Sequence, residues 1–144
     1  MTSDPYSPDL IALAADIPHI GRLTAPHASV RKVSRICGSE LDLDICLENG
    51  AISALGLEVR ACALGQASAS VFARNAIGAT LDDVRAARDG LKAMLQEGAN
   101  PPQGRFAALS AVEGARAYRQ RHGSILLAFD AGVDAMEAGC VRAS

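Results

Sequence analysis

The sequence predicts an α+β domain in which a three-stranded antiparallel meander carries helices packed on one face. Three observations predict it. Residues Glu40 to Glu48 alternate strictly between polar and apolar, an Asn-Gly pair follows at once, and beyond Ala63 apolar residues recur mostly at helical spacing. A chain of 144 residues is the size of one domain, read as a single unit over 1–144 with a core from about residue 9 to 137 and a short flexible C-terminal tail.

A hydrophobic content of 49% is ample for one core, and with only 3% aromatic residues that core is built mainly from Ala, Leu, Ile and Val. At the N-terminus, Ser7 caps a helix with Pro8 at its first position and Asp9 at the positive end of its dipole. This helix stops before Pro18, and I-P-H-I-G-R-L-T-A-P-H reads as an ordered loop. From Val30 the period is two. Leu41, Leu43, Ile45 and Leu47 then alternate with Glu40, Asp42, Asp44, Cys46 and Glu48, the pattern of a strand with one buried and one wet face. Upstream, Gly38-Ser39 suits a two-residue type II′ turn that sets Cys37 opposite Glu40 and Arg35 opposite Asp42. Downstream, a three-residue loop Glu48-Asn49-Gly50 with a bulge at Gly50 pairs Leu43 with Leu55 and Leu41 with Leu57, which keeps the apolar residues on one face.

The rest reads as helices. One spans 63–76 and ends at Gly78; a second opens on a Thr80/Asp83 capping box and runs with Leu81, Val84, Arg88, Leu91 and Leu95 to Gly98. After Pro-Pro-Gln-Gly come short helical pieces over 105–118, then a helix from about Gly123 to Glu137 with Ile125, Leu126, Phe129, Val133 and Met136 on one face.

A net charge of −2 and the scarcity of aromatic residues argue against nucleic acid as a partner. No apolar run approaches the ~20 residues of a membrane span and the N-terminus lacks a signal-peptide pattern, so a soluble cytoplasmic protein is expected. Cysteines at 37, 46, 62 and 140 are too few for a disulfide scaffold and in a reducing compartment suggest metal, sulfur or redox chemistry, or no special role. Cys62 falls where a strand gives way to a helix. There the helix N-terminus favours a thiolate, a ready nucleophile or metal ligand; the alternative is a small buried hydrophobe. The meander brings Cys37 and Cys62 to the same end of the sheet, roughly 10 Å apart across two strand spacings. Cys46 reads as a solvated strand residue, Cys140 as a free thiol in the tail, and His19 and His27 as partners of loop backbone. Asp82 and Asp83 are helix N-terminal charges. No Ser-His-Asp set, phosphate loop or paired carboxylates stand out.

The order Cys37-Gly38, Asn49-Gly50, Cys62 followed by small residues, and L-S-A-V-E-G-A-R-A-Y-R-Q-R-H-G-S-I-L-L-A-F-D-A resembles the iron–sulfur cluster assembly scaffolds of the IscU, SufU and NifU N-terminal type. I-P-H-I-G-R-L is similar to that family's Pro-x-Asn-x-Gly loop, with His19 at or near the asparagine. The resemblance spans about Asp9 to Met136 and implies a SufE/NifU-like fold. In that family three cysteines and an aspartate or histidine hold zinc or an assembling cluster. Cys37 and Cys62 match the first two cysteines and His122 the histidine; Ser39 stands for the aspartate of Cys-Gly-Asp and Gly123 for the third cysteine. The resemblance therefore implies a set of Cys37, Cys62 and His122, with an open position left to a partner, a second subunit of a homodimer, water or glutathione. It implies a scaffold or carrier rather than an enzyme, holding iron, zinc or a transient iron–sulfur cluster and working with a cysteine desulfurase and iron–sulfur acceptor proteins. Two alternatives stay open: Cys62 as a persulfide acceptor, or a degenerate interaction module with no metal site and nothing bound as purified.

Overall fold

The alternation in β2 (Ser39–Glu48) buries Leu41, Leu43, Ile45 and Leu47 and turns Asp42 and Cys46 to the opposite face. The computed structural model describes residues 6–36 and 38–143, of which 140–143 are described by their helical backbone alone. Cys37 and the Cys140 side chain therefore lie outside the described residues. β1 (Ala28–Ser34) and β3 (Ala51–Arg60) flank β2 in an antiparallel sheet of order β1-β2-β3, the meander predicted from the sequence.

Both registers differ from the prediction. Ser34 pairs with Ser39, so Arg31, not Arg35, stands opposite Asp42. The two pairings differ by an even number of residues, so both keep each side chain on its face, and alternation alone cannot choose between them. The observed one lets the Arg31 fork reach Asp42 at 3.0 Å and Glu40 at 2.8 Å. Between β2 and β3, Asn49 (φ 54°) and Gly50 (φ 79°) form the loop by themselves, since both central positions of such a turn need positive φ. The extra residue lies inside β3 instead: Leu47 pairs with Ile52 but Cys46 with Ala54. Leu43 consequently faces Leu57 and Ile45 faces Leu55. One inserted residue was needed to match the apolar faces, and the sequence did not say where it goes.

The helices follow their caps. Ser7 Oγ accepts from the Leu10 N–H at the start of α1 (Pro8–Ala15), and α2 covers Ala63–Asn75. α3 (Leu81–Glu97) opens on a reciprocal box between Thr80 and Asp83, a cap that stabilises by about 1 kcal/mol, and ends at the left-handed Gly98. Two 3-10 segments, Gly104–Ala117 and Arg119–Arg121, lead into α4 (His122–Ala143). α4 runs past the predicted end at Glu137 because the chain still lies on the sheet there: Gly139 sits against Leu47 and Ala28. α4 packs directly on β1 and β2, while α2 and α3 pack on α4. The three phenylalanines of the chain meet at that junction. Phe129 of α4 contacts Phe72 of α2 and Phe106 edge to face, with centroids 5.3 and 5.2 Å apart. Among the described residues no helix is long and apolar enough to cross a membrane.

The far side of the sheet corrects the reading of Asp44 as solvated, while Cys46 stays partly exposed. The loop from His19 to His27 crosses it. The Leu57 N–H donates to the His19 carbonyl, and the Gly21 N–H to that of Leu57. At the other side of the crossing the His27 N–H donates to Ile45, and His27 Nδ1 accepts from the Leu47 N–H at 2.8 Å. Beneath this loop Asp44 is only 1% exposed, and Cys46 Sγ lies 3.6 Å from the Ala25 carbonyl oxygen.

Candidate functional site

β3 ends at Arg60, and the chain turns through Ala61 into Cys62, the N-cap residue of α2, whose extended backbone (φ −67°, ψ 171°) aims its side chain back at the first turn. The Cys62 carbonyl accepts from the Gln66 N–H at 2.8 Å, which fixes that turn. Sγ is half-buried and makes no capping hydrogen bond to the first turn, although the Gly65 and Leu64 amides bias it toward the thiolate.

The start of α4 closes over this turn. Ser124 Oγ lies 3.6 Å from Cys62 Sγ and 2.9 Å from Ser39 Oγ at the first residue of β2. Ser124 and Ser39 are 1% and 2% exposed. Gly65 makes the approach possible, because a Cβ there would stand 2.2 Å from Ser124 Oγ. Next to it, Gly123 is exposed, and a Cβ on it would point at Ser34 Oγ, 2.7 Å away at the end of β1. The end of β1, the start of β2, the turn after β3 and the first turn of α4 therefore converge on one spot, the one predicted from the meander. Cys37 belongs to the stretch between Ser34 and Ser39 and lies outside the described residues.

The electrostatics at Cys62 favour the thiolate. Burial pushes its pKa up, but the Gly65 amide, the Ser124 hydroxyl, the Leu64 amide and the charge of Arg121 outweigh burial and hold it below the ordinary thiol value. His122 is buried at the start of α4, with Nε2 3.0 Å from the Arg116 and 3.3 Å from the Ala115 carbonyl oxygen. A nitrogen held between carbonyls is the protonated one, so the lone pair rests on Nδ1. Metal-ligating histidines are commonly oriented in this way by a backbone carbonyl. Among the described residues no three His, Cys, Asp or Glu side chains converge on a point. What lies beside Cys62 instead is the hydroxyl of Ser124, itself paired with that of Ser39. Sequence reasoning passed over Ser124 and Gly65. Their local signals were only the Gly-Ser pair after His122 and the run of small residues after Cys62. A separate hollow of about 580 Å³ between α1 and the 3-10 segment Gly104–Ala117 shares no residue with this site and offers only Asp9 and Glu113 as charged groups.

No family model and no curated protein matches the sequence. Solved structures do. A nitrogen-fixing NifU-like protein (N-terminal) from Brucella abortus is 42% identical, with a TM-score of 0.94 over 96% of this chain and 96% of that one. A putative iron–sulfur cluster assembly scaffold protein for the SUF system from Fervidobacterium islandicum is 19% identical, with a TM-score of 0.84 over 94% of this chain and 99% of that one. A hypothetical protein at 22% identity has a TM-score of 0.81, covering 90% and 94% of the two chains. At those identities the last two show a shared fold.

Proposed function

The chain belongs to the NifU-like N-terminal family, and from that premise we propose that it is a scaffold-like protein of iron–sulfur cluster assembly that takes iron, zinc or a transient cluster as its cargo. The observation that carries this reading is the position of Cys62: a thiol held toward the thiolate by a helix N-terminus, beneath the His122-Gly123-Ser124 turn of α4. Cys62 and Cys37 supply the soft donors and His122 adds Nδ1. The hydroxyls of Ser39 and Ser124 are poor ligands for iron or zinc next to thiolates. The set is therefore short of the usual four, and the remaining position falls to a partner, a second copy of the chain or a small thiol. A cysteine desulfurase as sulfur donor and iron–sulfur acceptor proteins as recipients complete the proposal. Anaerobic titration with ferrous iron and sulfide, followed by the visible chromophore, tests it. Binding is expected to be weak in the parent and lost in Cys62→Ala and in Cys37→Ala; full binding in both folded variants would place the cargo elsewhere.

One observation favours a second reading. Hydroxyls and amides surround Cys62, which suits a nucleophile better than a metal ligand, and accepting sulfur requires only one activated thiolate. Incubation with a desulfurase and cysteine is then expected to leave one extra sulfur on the Cys62 peptide, read by mass spectrometry. Persulfide confined to the other cysteines would reject this reading.

A further inference from the structure

We propose that Tyr118, Arg119 and Arg121, on the turn that leads into α4, form a docking surface for a short acidic segment of a protein partner. The surface is independent of whether Cys62 takes metal or sulfur. The chain carries a net charge of −2, yet residues 116–121 hold three arginines and no acid. Most arginines elsewhere in the described fold have a partner. Arg22, Arg31, Arg74, Arg85 and Arg88 each meet a carboxylate, and Arg105 holds the Asn75 and Ile77 carbonyls at the end of α2. The side chains of Arg116, Arg119 and Arg121 make no hydrogen bond or ion pair among the described residues. Arg116 still has a local role, because its guanidinium lies over Gly98 at the C-terminus of α3, where the helix dipole favours a cation. Arg119 and Arg121 have no such role.

The backbone beneath these two arginines is fixed. The Tyr118 N–H donates to the Ala115 carbonyl at 2.8 Å and the Arg121 N–H to the Tyr118 carbonyl at 2.9 Å, and α4 begins at the next residue. Docking there orders side chains without ordering a loop, which keeps its entropic cost small. Tyr118 is 41% exposed beside them, and residues 117–121 line a hollow of about 390 Å³. Tyrosine and arginine carry much of the binding energy of protein interfaces, the first through its amphipathic ring and the second through a fork that fits a carboxylate. The surface is on the rim of the site: Arg121 precedes the buried His122, and its charge reaches the Cys62 sulfur. Charge complementarity selects the occupant. A nucleic acid strand needs a longer basic track, and beyond this patch it meets the exposed Glu97 and Glu113. An anionic membrane supplies only about 1 kcal/mol per basic residue, too little from two arginines to hold the chain. A segment with a few carboxylates and one apolar side chain for Tyr118 matches both the extent and the charge of the patch.

The test is the binding of a short fluorescein-labelled peptide, glutamates around one leucine, to the full chain by fluorescence anisotropy. It is run at about 0.15 M salt, where exposed charges more than about 8 Å apart are screened from one another. Arg119→Gln with Arg121→Gln is expected to weaken binding about tenfold, the effect of two ion pairs near the top of the range for exposed side chains. Arg85→Gln with Arg88→Gln makes the same change in net charge on α3 and should bind as the parent does. Tyr118→Ala should weaken binding but keep its salt dependence, since it removes contact area and no charge. Further salt should weaken the parent more than the Arg119/Arg121 variant, and the peptide should shift the amide resonances of residues 117–122 in the nitrogen-15-labelled chain. Equal weakening in both double variants would assign the effect to overall charge and overturn the patch. A parent that does not bind the peptide, or that binds an oligodeoxynucleotide of equal charge or phosphatidylserine vesicles more tightly, would overturn the acidic protein segment as its occupant. Should the Arg119/Arg121 variant fail to fold by circular dichroism, the amide shifts of the parent decide: shifts confined to other residues reject the surface.

Discussion

The variant Gly123→Cys with Ser39→Asp and Ser34→Ala is expected to bind zinc about 10²- to 10³-fold more tightly than the parent, whose set leaves one position open, taking each protein ligand as roughly a quarter of the affinity of a four-ligand structural site. Gly123 lies in the first turn of α4 and is exposed, so a side chain there has room on the solvent side. Its Cβ vector points toward Ser34 Oγ at 2.7 Å, which is why the serine is shortened in the same variant. Ser39 opens β2 directly beneath Ser124, so an aspartate there enters the same space as Cys62 Sγ. Without metal, that carboxylate is buried against a thiol and the variant should melt below the parent; with zinc it should melt above it, because a ligand that binds only the folded state stabilises that state. Competition against a chromophoric chelator gives the affinity. The control Gly123→Ala with Ser34→Ala should gain none. A folded triple variant with parental zinc affinity would show that the start of α4 does not bring residue 123 within reach of the thiols.

The features of this fold that could be read from sequence are those set by neighbours in the chain. Ser7, the Thr80/Asp83 pair and Gly98 terminate their helices as expected because a cap acts within one turn. The faces of β2 followed from alternation alone. Register did not, since pairing Ser34 with Ser39 or Cys37 with Glu40 leaves every side chain on the same face, and the choice is made by contacts distant in sequence such as Arg31 with Asp42 and Glu40. Asp44 was misread for a related reason. Nothing in its strand signals that a loop rich in Pro and Gly will cross above it. One trace of that loop was visible: the resemblance puts His19 at or near the asparagine of Pro-x-Asn-x-Gly, and its φ of 63° is a left-handed conformation in which Asn and His are both enriched. The placement of Cys62 between a strand and a helix was legible. Its contact with Ser124 was not, because that depends on α4 arriving over α2 from 62 residues further along the chain.

Asp44→Ala is expected to lower stability by about 3 kcal/mol, the scale found when one partner of a buried charged network is removed. The carboxylate accepts from Arg22 through both Nε and Nη2, at 2.9 and 3.0 Å, from the Leu23 N–H at 3.0 Å and from the Ser29 hydroxyl at 2.7 Å. It is the point at which the loop from His19 to His27 is pinned to the outer face of the sheet. Arg22 is half exposed, so its ion pair is screened and contributes less than its two short contacts suggest; the Leu23 amide and the Ser29 hydroxyl add to it. Burial alone would raise the Asp44 pKa, but the hydrogen bonds from Arg22, Ser29 and Leu23 outweigh it and set it below the ordinary carboxylate value of 3.8. A carboxyl whose folded pKa is lowered contributes stability that is present in full above the unfolded value and lost as pH falls through the folded value. Urea unfolding of parent and variant should therefore differ by a constant amount at neutral pH and converge in acid below pH 3.8. A difference that persists unchanged in strong acid would assign the loss to packing under the loop instead of to the charge. Because Asp44 is on the face opposite the helices, the reactivity of the Cys62 thiol toward a disulfide reagent at neutral pH should be the same in both proteins, which separates the anchoring of the loop from the chemistry at the end of the sheet.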